Sequence, residues 1–291
     1  MTTDLFLQSL VNGLTLAAIY ILVALGLTLL FSIMHILNFA HGELFMLGAY
    51  GIFFFMEINP TGNILLNYLL GIIFVIVIVG LVGVGIEKIF FRPIRGKIIQ
   101  GLILSMGLSM FIQGVSNWAF GITDRSIASV FRGMISFGGI SISVERLIMI
   151  FVSTGLVIAL HVFVTRTRAG MAMRAIEQNP EGAALQGIRP DFTNSLAFFI
   201  ASGLAAAAGI LIAPIFIINP YMGSGPLLKA FMIIILGGIG SVYGCIAGGL
   251  VIGFMDSFVT VLAGSEGANA IGFIVIILVV LLRPKGILGH A

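Results

Sequence analysis

RTRAGMAMRAIEQNPEGAALQGIRPD, residues 166–191, is the longest hydrophilic interruption in a chain that otherwise reads as membrane. It carries Arg166, Arg168, Arg174 and Arg189 together with Glu177, Glu181 and Asp191. Asn179-Pro180-Glu181 has the make-up of a helix start. The Asn side chain can cap free N–H groups, Pro fits the first helical position, and Glu suits the positive end of the helix dipole. Gly187 can end that helix about two turns later. So short a helix is marginal alone in water and needs a surface to pack on. Gly182, Ala183 and Ala184 leave it a smooth face. The segment, with Arg174, Glu177, Asn179, Pro180, Glu181, Ala183, Ala184 and Gly187 as its contact candidates, is read as a docking element for a soluble partner rather than a bare connector.

The surroundings explain why a partner is needed. Of 291 residues, 59% are hydrophobic and 9% charged, against about 25% charged in a soluble globular protein. Seven windows contain no Asp, Glu, Lys or Arg: 5–42, 58–86, 98–123, 147–165, 192–228, 230–255 and 267–282. A spanning helix needs roughly 20 apolar residues. The expected fold is therefore all-α, a polytopic membrane helical bundle of eight or nine transmembrane helices forming a single domain over 1–291. No hydrophilic segment is long enough to bury a core of its own. Met1 to Asp4 lacks the basic start of a signal peptide, and Cys245, the lone cysteine, offers no intrachain disulfide.

Charge sets the orientation. Ten of the fourteen Lys and Arg (88, 92, 95, 97, 166, 168, 174, 189, 283 and 285) fall in segments that the positive-inside rule assigns to the cytoplasm. Residues 121–144, with Gly138-Gly139 and the alternation Ile140-Ser141-Ile142-Ser143, are placed outside as a loop that could hold a short hairpin. Asn219-Pro220-Tyr221 and Gly223-Ser224-Gly225-Pro226 read as an outer turn. Residues 230–262 are too long for one span and break at Gly237–Ser241, giving two passes or two half-helices. Small-xxx-small spacing at Gly244/Gly248 and Gly249/Gly253 suits close helix packing.

Asn38-Phe39-Ala40-His41-Gly42-Glu43 interrupts nearly fifty residues of membrane sequence. Polar groups at that depth are costly unless they line a cavity or pair internally. Asn38, His41, Gly42 and Glu43 are candidates for a substrate path, as are Gly237, Gly238, Gly240 and Ser241. The alternatives are a position at the cytoplasmic face and internal packing. Asn38–Gly51 and Gly237–Gly253, each running from a break into a Gly-spaced helix, suggest a structural repeat of the kind transporters use. Asp256 is expected to face the bundle or an outer vestibule. His41 with Glu43 lacks the neighbours a metal site requires. Gly96-Lys97 fails the P-loop pattern, so any ATP would be bound by another chain, and no catalytic constellation is evident.

Glu181-Gly182-Ala183, with Gly187 six residues after the Glu, resembles the glutamate–alanine–alanine–glycine cytoplasmic loop of ABC importer permeases. NFAHGELFMLGAY (38–50) resembles the signature of permeases for branched-chain amino acids. The likeness continues in order through EKIFFRPIRG (87–96), RAGMAMRAIEQNPEGAALQGI (168–188), INPYMGSGPLLKAF (218–231), LGGIGSVYGCIAGGL (236–250) and LRPKGILG (282–289). It is similar to the shorter of the two permeases of that family. The resemblance implies a bacterial inner-membrane heterodimer with a second, homologous permease. It further implies two cytoplasmic ATPase subunits carrying ATP and Mg, a periplasmic or lipid-anchored substrate-binding protein, and no cofactor in this chain. Nucleic acid is not an expected partner. The family's cargo spans hydrophobic amino acids, urea and short amides. An ion-coupled secondary transporter and a passive channel are the competing classes, and both predict function without ATPases.

Overall fold

A computed structural model of the chain describes residues 3–58, 63–137, 140–238, 240–283 and 286–287. The Gly138-Gly139 turn, Ile239 and Pro284-Lys285 lie outside the described residues. The helices are α1 (Thr3–Met34), α2 (His41–Ile58), α3 (Ile64–Ile86), α4 (Ile98–Phe120), α5 (Val144–Arg166), α6 (Arg168–Gln178), α7 (Pro180–Leu185), α8 (Pro190–Ile212), α9 (Ser224–Gly237) and α10 (Val242–Leu282). Among the described residues, one hairpin, β1 (Met134–Phe137) with β2 (Ile140–Ser143), pairs antiparallel with Met134 opposite Ser143. The expected all-α membrane bundle is what the chain forms.

Six of the described helices are long and apolar enough to cross a membrane. One of these, α10, is more than a single pass. Its 41 residues would reach about 60 Å if straight. Instead Gly264 adopts φ 73°, and the chain doubles back there. Val242 begins beside the turn at Gly237, and beyond the other end the Ile287 N–H donates to Leu236 O at 2.9 Å. The shorter α2 and α9 complete two further crossings, which brings the described chain to nine, the upper of the two expected numbers.

Sidedness follows from which ends meet. Near the start of α1, Gln8 bonds to the backbone of Ser141 in β2. Near its other end, Ser32 lines a cavity with Arg174 and Glu177 of α6. The hairpin is thus on one face and the basic segment on the other, as the charge distribution requires. A two-way backbone bridge between Arg125 and Ile218 closes the outer face.

Glycine decides how closely the central helices approach. Gly249 and Gly253 of α10 sit on Ile21 and Ala17 of α1, while Gly244 and Gly248 of the same helix sit on the backbone of α9. The two small-residue stripes therefore serve two different partners. Without a hydrophobic drive between helices in lipid, such close contact supplies the van der Waals attraction that holds them. The lipid-facing surface carries Ile73, Phe151 and Trp118, all largely exposed.

The expected repeat is present in a different place. Both breaks before a short helix, 35–40 before α2 and 213–223 before α9, follow a long span, α1 and α8 respectively. These two units run in opposite directions across the membrane. Residues 219–226 are therefore not wholly an outer turn: they carry the chain from the outer bridge at Ile218 inward to the start of α9. At the inner end, Gly238 is at φ 101° and Gly240 at φ 88°, and Ser241 N–H returns to Gly238 O at 3.2 Å.

A labelling experiment checks this sidedness. The only native cysteine, Cys245, is buried, so single cysteines report without background. Asp124→Cys should react with an impermeant maleimide on intact spheroplasts, and Leu185→Cys only in inverted vesicles. Equal labelling of Leu185→Cys from outside would overturn the topology.

Candidate functional site

The two short helices start against each other. A Cβ on Gly42, in the first turn of α2, would strike the carbonyl of Gly223, and one on Gly223 would strike the carbonyl of Gly42. Only glycine at both positions allows this contact, which brings the N-termini of α2 and α9 together inside the bundle. Free N–H groups and the positive ends of two helix dipoles converge there.

The polar side chains of the 38–43 break are turned away from that junction. α1 ends at His35, held at φ 55°. Asn38 Oδ1 accepts from Ala40 N–H at 3.0 Å, building a local turn that aims α2 back outward. His41 is fully buried and packs on Gly26 of α1. Its ring reaches towards the Val23 backbone, but neither nitrogen completes a well-formed hydrogen bond. Glu43 Oε1 accepts from Ser109 Oγ at 3.0 Å and Gln113 Nε2 at 2.7 Å on α4. Asn38, His41 and Glu43 thus brace the break from behind. Phe45, one turn further along α2, is fully buried and packs behind the wall of an adjoining space.

That space is a cavity of about 300 Å³ lined by α1, α2, α9, α10 and the segment after α8. Its floor carries an ion pair between Lys229 of α9 and Asp256 of α10. The Tyr20 hydroxyl donates to Asp256 Oδ2 at 2.8 Å. An ion pair this deep in a bundle is stabilised only by mutual neutralisation and hydrogen bonding. Asp256 faces the bundle and an outer vestibule, as expected from sequence. Lys229 escaped the sequence reading, although it is the only charged residue between Asp191 and Asp256. That isolation in an apolar stretch was the available signal.

The second predicted set lies at the inner end. Gly237 packs backbone to backbone on Gly244, and Ser241 caps α10 by accepting from Gly244 N–H at 3.0 Å. Gly240 and Ser241 line an inner cavity of about 300 Å³ with Arg174 and Glu177 of α6. Residues assigned to two separate roles from sequence thus share one cavity wall.

In the cytoplasmic segment, Asn179 Oδ1 accepts from Gly182 N–H at 2.9 Å and Pro180 occupies the first turn of α7. Gly187 is at φ 83°, and Ile188 N–H returns to Ala183 O at 3.1 Å while Gly187 N–H returns to Ala184 O at 3.0 Å. This paired closure is the Schellman arrangement. Preceding it, α6 has its own cap from Thr167 to Gly170 N–H at 3.0 Å, which the sequence reading did not identify as a separate helix. Ala183 is buried, so it anchors α7 to its own chain rather than presenting it. Glu181, Ala184 and Gly187 are exposed, and Leu185 is 86% exposed. Just beyond, Glu87, fully buried, accepts from Arg92, Arg95 and Ser195, and Arg95 also pairs with Asp191. These bonds clamp the α3–α4 loop to the start of α8.

Comparison with known proteins gives the family. A family model described as branched-chain amino acid transport system / permease component matches residues 9–282. The chain belongs to that family. It is 35% identical to the high-affinity branched-chain amino acid transport system permease protein LivH of Escherichia coli K12, covering 98% of this chain and 96% of LivH. Identity to the permease protein BraD of Pseudomonas aeruginosa, described in the same terms, is 36% over the same shares. A probable branched-chain amino acid transport permease protein LivH of Methanocaldococcus jannaschii is 28% identical over 92% of this chain and 88% of that one. No solved structure matches. The chain is thus a multi-pass membrane protein of a transport-permease family.

The glycine junction makes a direct prediction. Gly42→Val forces α2 and α9 apart and should destabilise the purified protein by about 1–3 kcal/mol, read as a lowered melting temperature in detergent. The same change at Gly114, beside which a Cβ meets open space, should leave the melt near that of the parent.

Proposed function

We propose that this chain is the membrane-spanning subunit of an ATP-driven importer of branched-chain amino acids in the bacterial inner membrane. In this reading one domain, 1–291, carries a docking segment at 166–191. The relatives named above support the cargo class. The observation that carries the ATP-driven part is α7. It is a fully capped helix, pinned by buried Ala183, that holds Ala184 and a bare Leu185 towards the cytoplasm. Leu185 beside Ala184 on a capped helix offers a partner an apolar anchor to cover. The proposed partners are two ATPase subunits that bind ATP with Mg. A second homologous permease and a periplasmic or lipid-anchored binding protein complete the assembly.

The coupling route follows from the packing. Movement of α6 and α7 would reach the turn at Gly240–Ser241 through the shared inner cavity, and from there α9 and α10. Asn38, His41, Gly42 and Glu43 act in this reading as the rigid back wall of the path, with Gly237, Gly238, Gly240 and Ser241 as its inner hinge. A branched-chain amino acid is a zwitterion of zero net charge with an aliphatic side chain, which suits a mainly apolar bundle with few internal charges.

Docking is tested at the exposed position, since Ala183→Arg would test folding instead. Leu185→Asp should insert and melt as the parent does but lose about tenfold or more of its co-purifying ATPase, in keeping with a desolvated apolar anchor. Retention of ATPases and transport-coupled hydrolysis in that variant would refute docking at α7. Function with no ATPase present would favour an ion-coupled transporter instead, and uptake of urea or short amides in place of leucine would change the cargo.

A further inference from the structure

Two cavities run together on the outer side of the junction. The one above the Lys229–Asp256 pair, about 300 Å³, shares Leu16, Phe216 and Thr260 with a second of about 280 Å³ that reaches Arg146 at the outer end of α5. They form a route from the outer face to the buried pair. The pair retains a little exposure to that space, with 6% of the Lys229 side chain and 11% of the Asp256 side chain accessible. Asp256 is held from two sides, by Lys229 and by Tyr20. Among the described residues the Lys229 ammonium donates to Asp256 alone, which leaves part of its three-donor capacity for an incoming acceptor. Gly225 and Pro226, in the first turn of α9, line the same space, so the positive end of that helix dipole adds to the attraction for an anion.

We infer that the Lys229–Asp256 pair at the floor of the outer cavity is a recognition site for the zwitterionic head of an α-amino acid. The carboxylate binds Lys229 and the start of α9; the ammonium binds Asp256, which Tyr20 holds in place. The aliphatic side chain lies against Leu16, Phe45, Ile212 and Met222. Charge balance selects the ligand class. The pair is neutral, so a zwitterion entering between its members leaves the buried site neutral. A simple anion or cation would leave a net charge in a low-dielectric bundle, at high cost. An uncharged amide would gain little from two opposed ions. The cavity volume sits at the small end of the range for ligand pockets, about 300–1,000 Å³, which suits a single amino acid. The inference rests on the reading of the chain as an importer subunit and names the place in it where cargo is recognised.

The test uses the whole importer, with its second permease, ATPases and binding protein, in proteoliposomes supplied with radiolabelled leucine. Asp256→Asn and Lys229→Met should each lower ATP-dependent uptake by about tenfold or more, the scale of a lost charged hydrogen bond, with the ATPases still co-purifying. The exchange Lys229→Asp with Asp256→Lys keeps the ion pair and should restore the melting temperature but not the uptake, because the carboxylate then meets the wrong partner beside the helix start. Leu16→Trp fills the cavity without touching the pair and should block uptake with an unchanged melt. If the single variants fail to fold, the exchange and the Leu16→Trp variant decide. Uptake within about twofold of the parent in either of those, a change too small to match a lost charged contact, would reduce the pair to a structural lock and overturn the inference. Loss of ATPases or of ATP dependence in the parent assembly would instead sink the importer reading itself.

Discussion

A backbone that leaves the helix inside a membrane must satisfy its freed N–H and C=O groups within the protein. This chain does so twice, before α2 and before α9, and the rest of the bundle is arranged to make it tolerable. α1 is buried over most of its length and carries the glycine stripe of α10 on one side. α8 passes behind α2, where Gly209 meets the Phe45 backbone and Gly48 meets Ala206 so closely that a methyl group would not fit. The small residues Ala205–Ala208 are there because a larger side chain would separate the helices that seal the breaks.

Sealing also explains the polarity of residues 38–43. Asn38 closes its turn locally, and Glu43 is held by Ser109 and Gln113 from α4. The Asn38 bond gives one freed backbone N–H a partner, and the Glu43 bonds tie the first turn of α2 to α4. The half-helix start then falls against Gly223 rather than sliding along α1. Polar groups at this depth need not line the cavity to matter: they set where α2 starts and so how it packs on α9.

The sequence revealed elements whose signal is local and hid those whose signal is directional. Asn179, Pro180 and Gly187 act on neighbours two to five residues away, so the cap, start and stop of α7 were legible, and the apolar windows foretold the bundle. The face that a side chain presents around a membrane helix leaves little trace when both lipid and core are apolar. For that reason the hexapeptide was read as lining a path, and Ala183 as an outward contact, when each faces its own chain. The start of α9 was hidden because Pro220, Gly223, Gly225 and Pro226 are ordinary turn residues. Only the approach of Gly42 shows that this turn descends into the bundle. The repeat was sought where a break runs into a Gly-spaced helix, at 237–253, whereas its second copy is α8 and α9: a long span, a break, a short helix.

The inverted pairing of the two units gives the Lys229–Asp256 site its mechanical meaning. Lys229 rides on α9 and Asp256 on α10, and the two helices are joined by the inner turn at Gly238–Ser241, where Gly237 and Gly244 touch through backbone atoms alone. A contact between two glycines has no side chains to interlock, so it resists sliding and tilting less than a packed pair would. Under the proposed coupling, force delivered at that turn from α6 would change the angle between α9 and α10, and the ion pair lies further along both helices, where a small rotation becomes a larger separation. With the pair closed, Lys229 of α9 meets Asp256 of α10, which Tyr20 of α1 holds; under the inference above, a zwitterion entering between them would part α9 from α10. On that reading, binding at the outer cavity and movement at the cytoplasmic face would be two ends of one lever, with the glycine contact as its pivot.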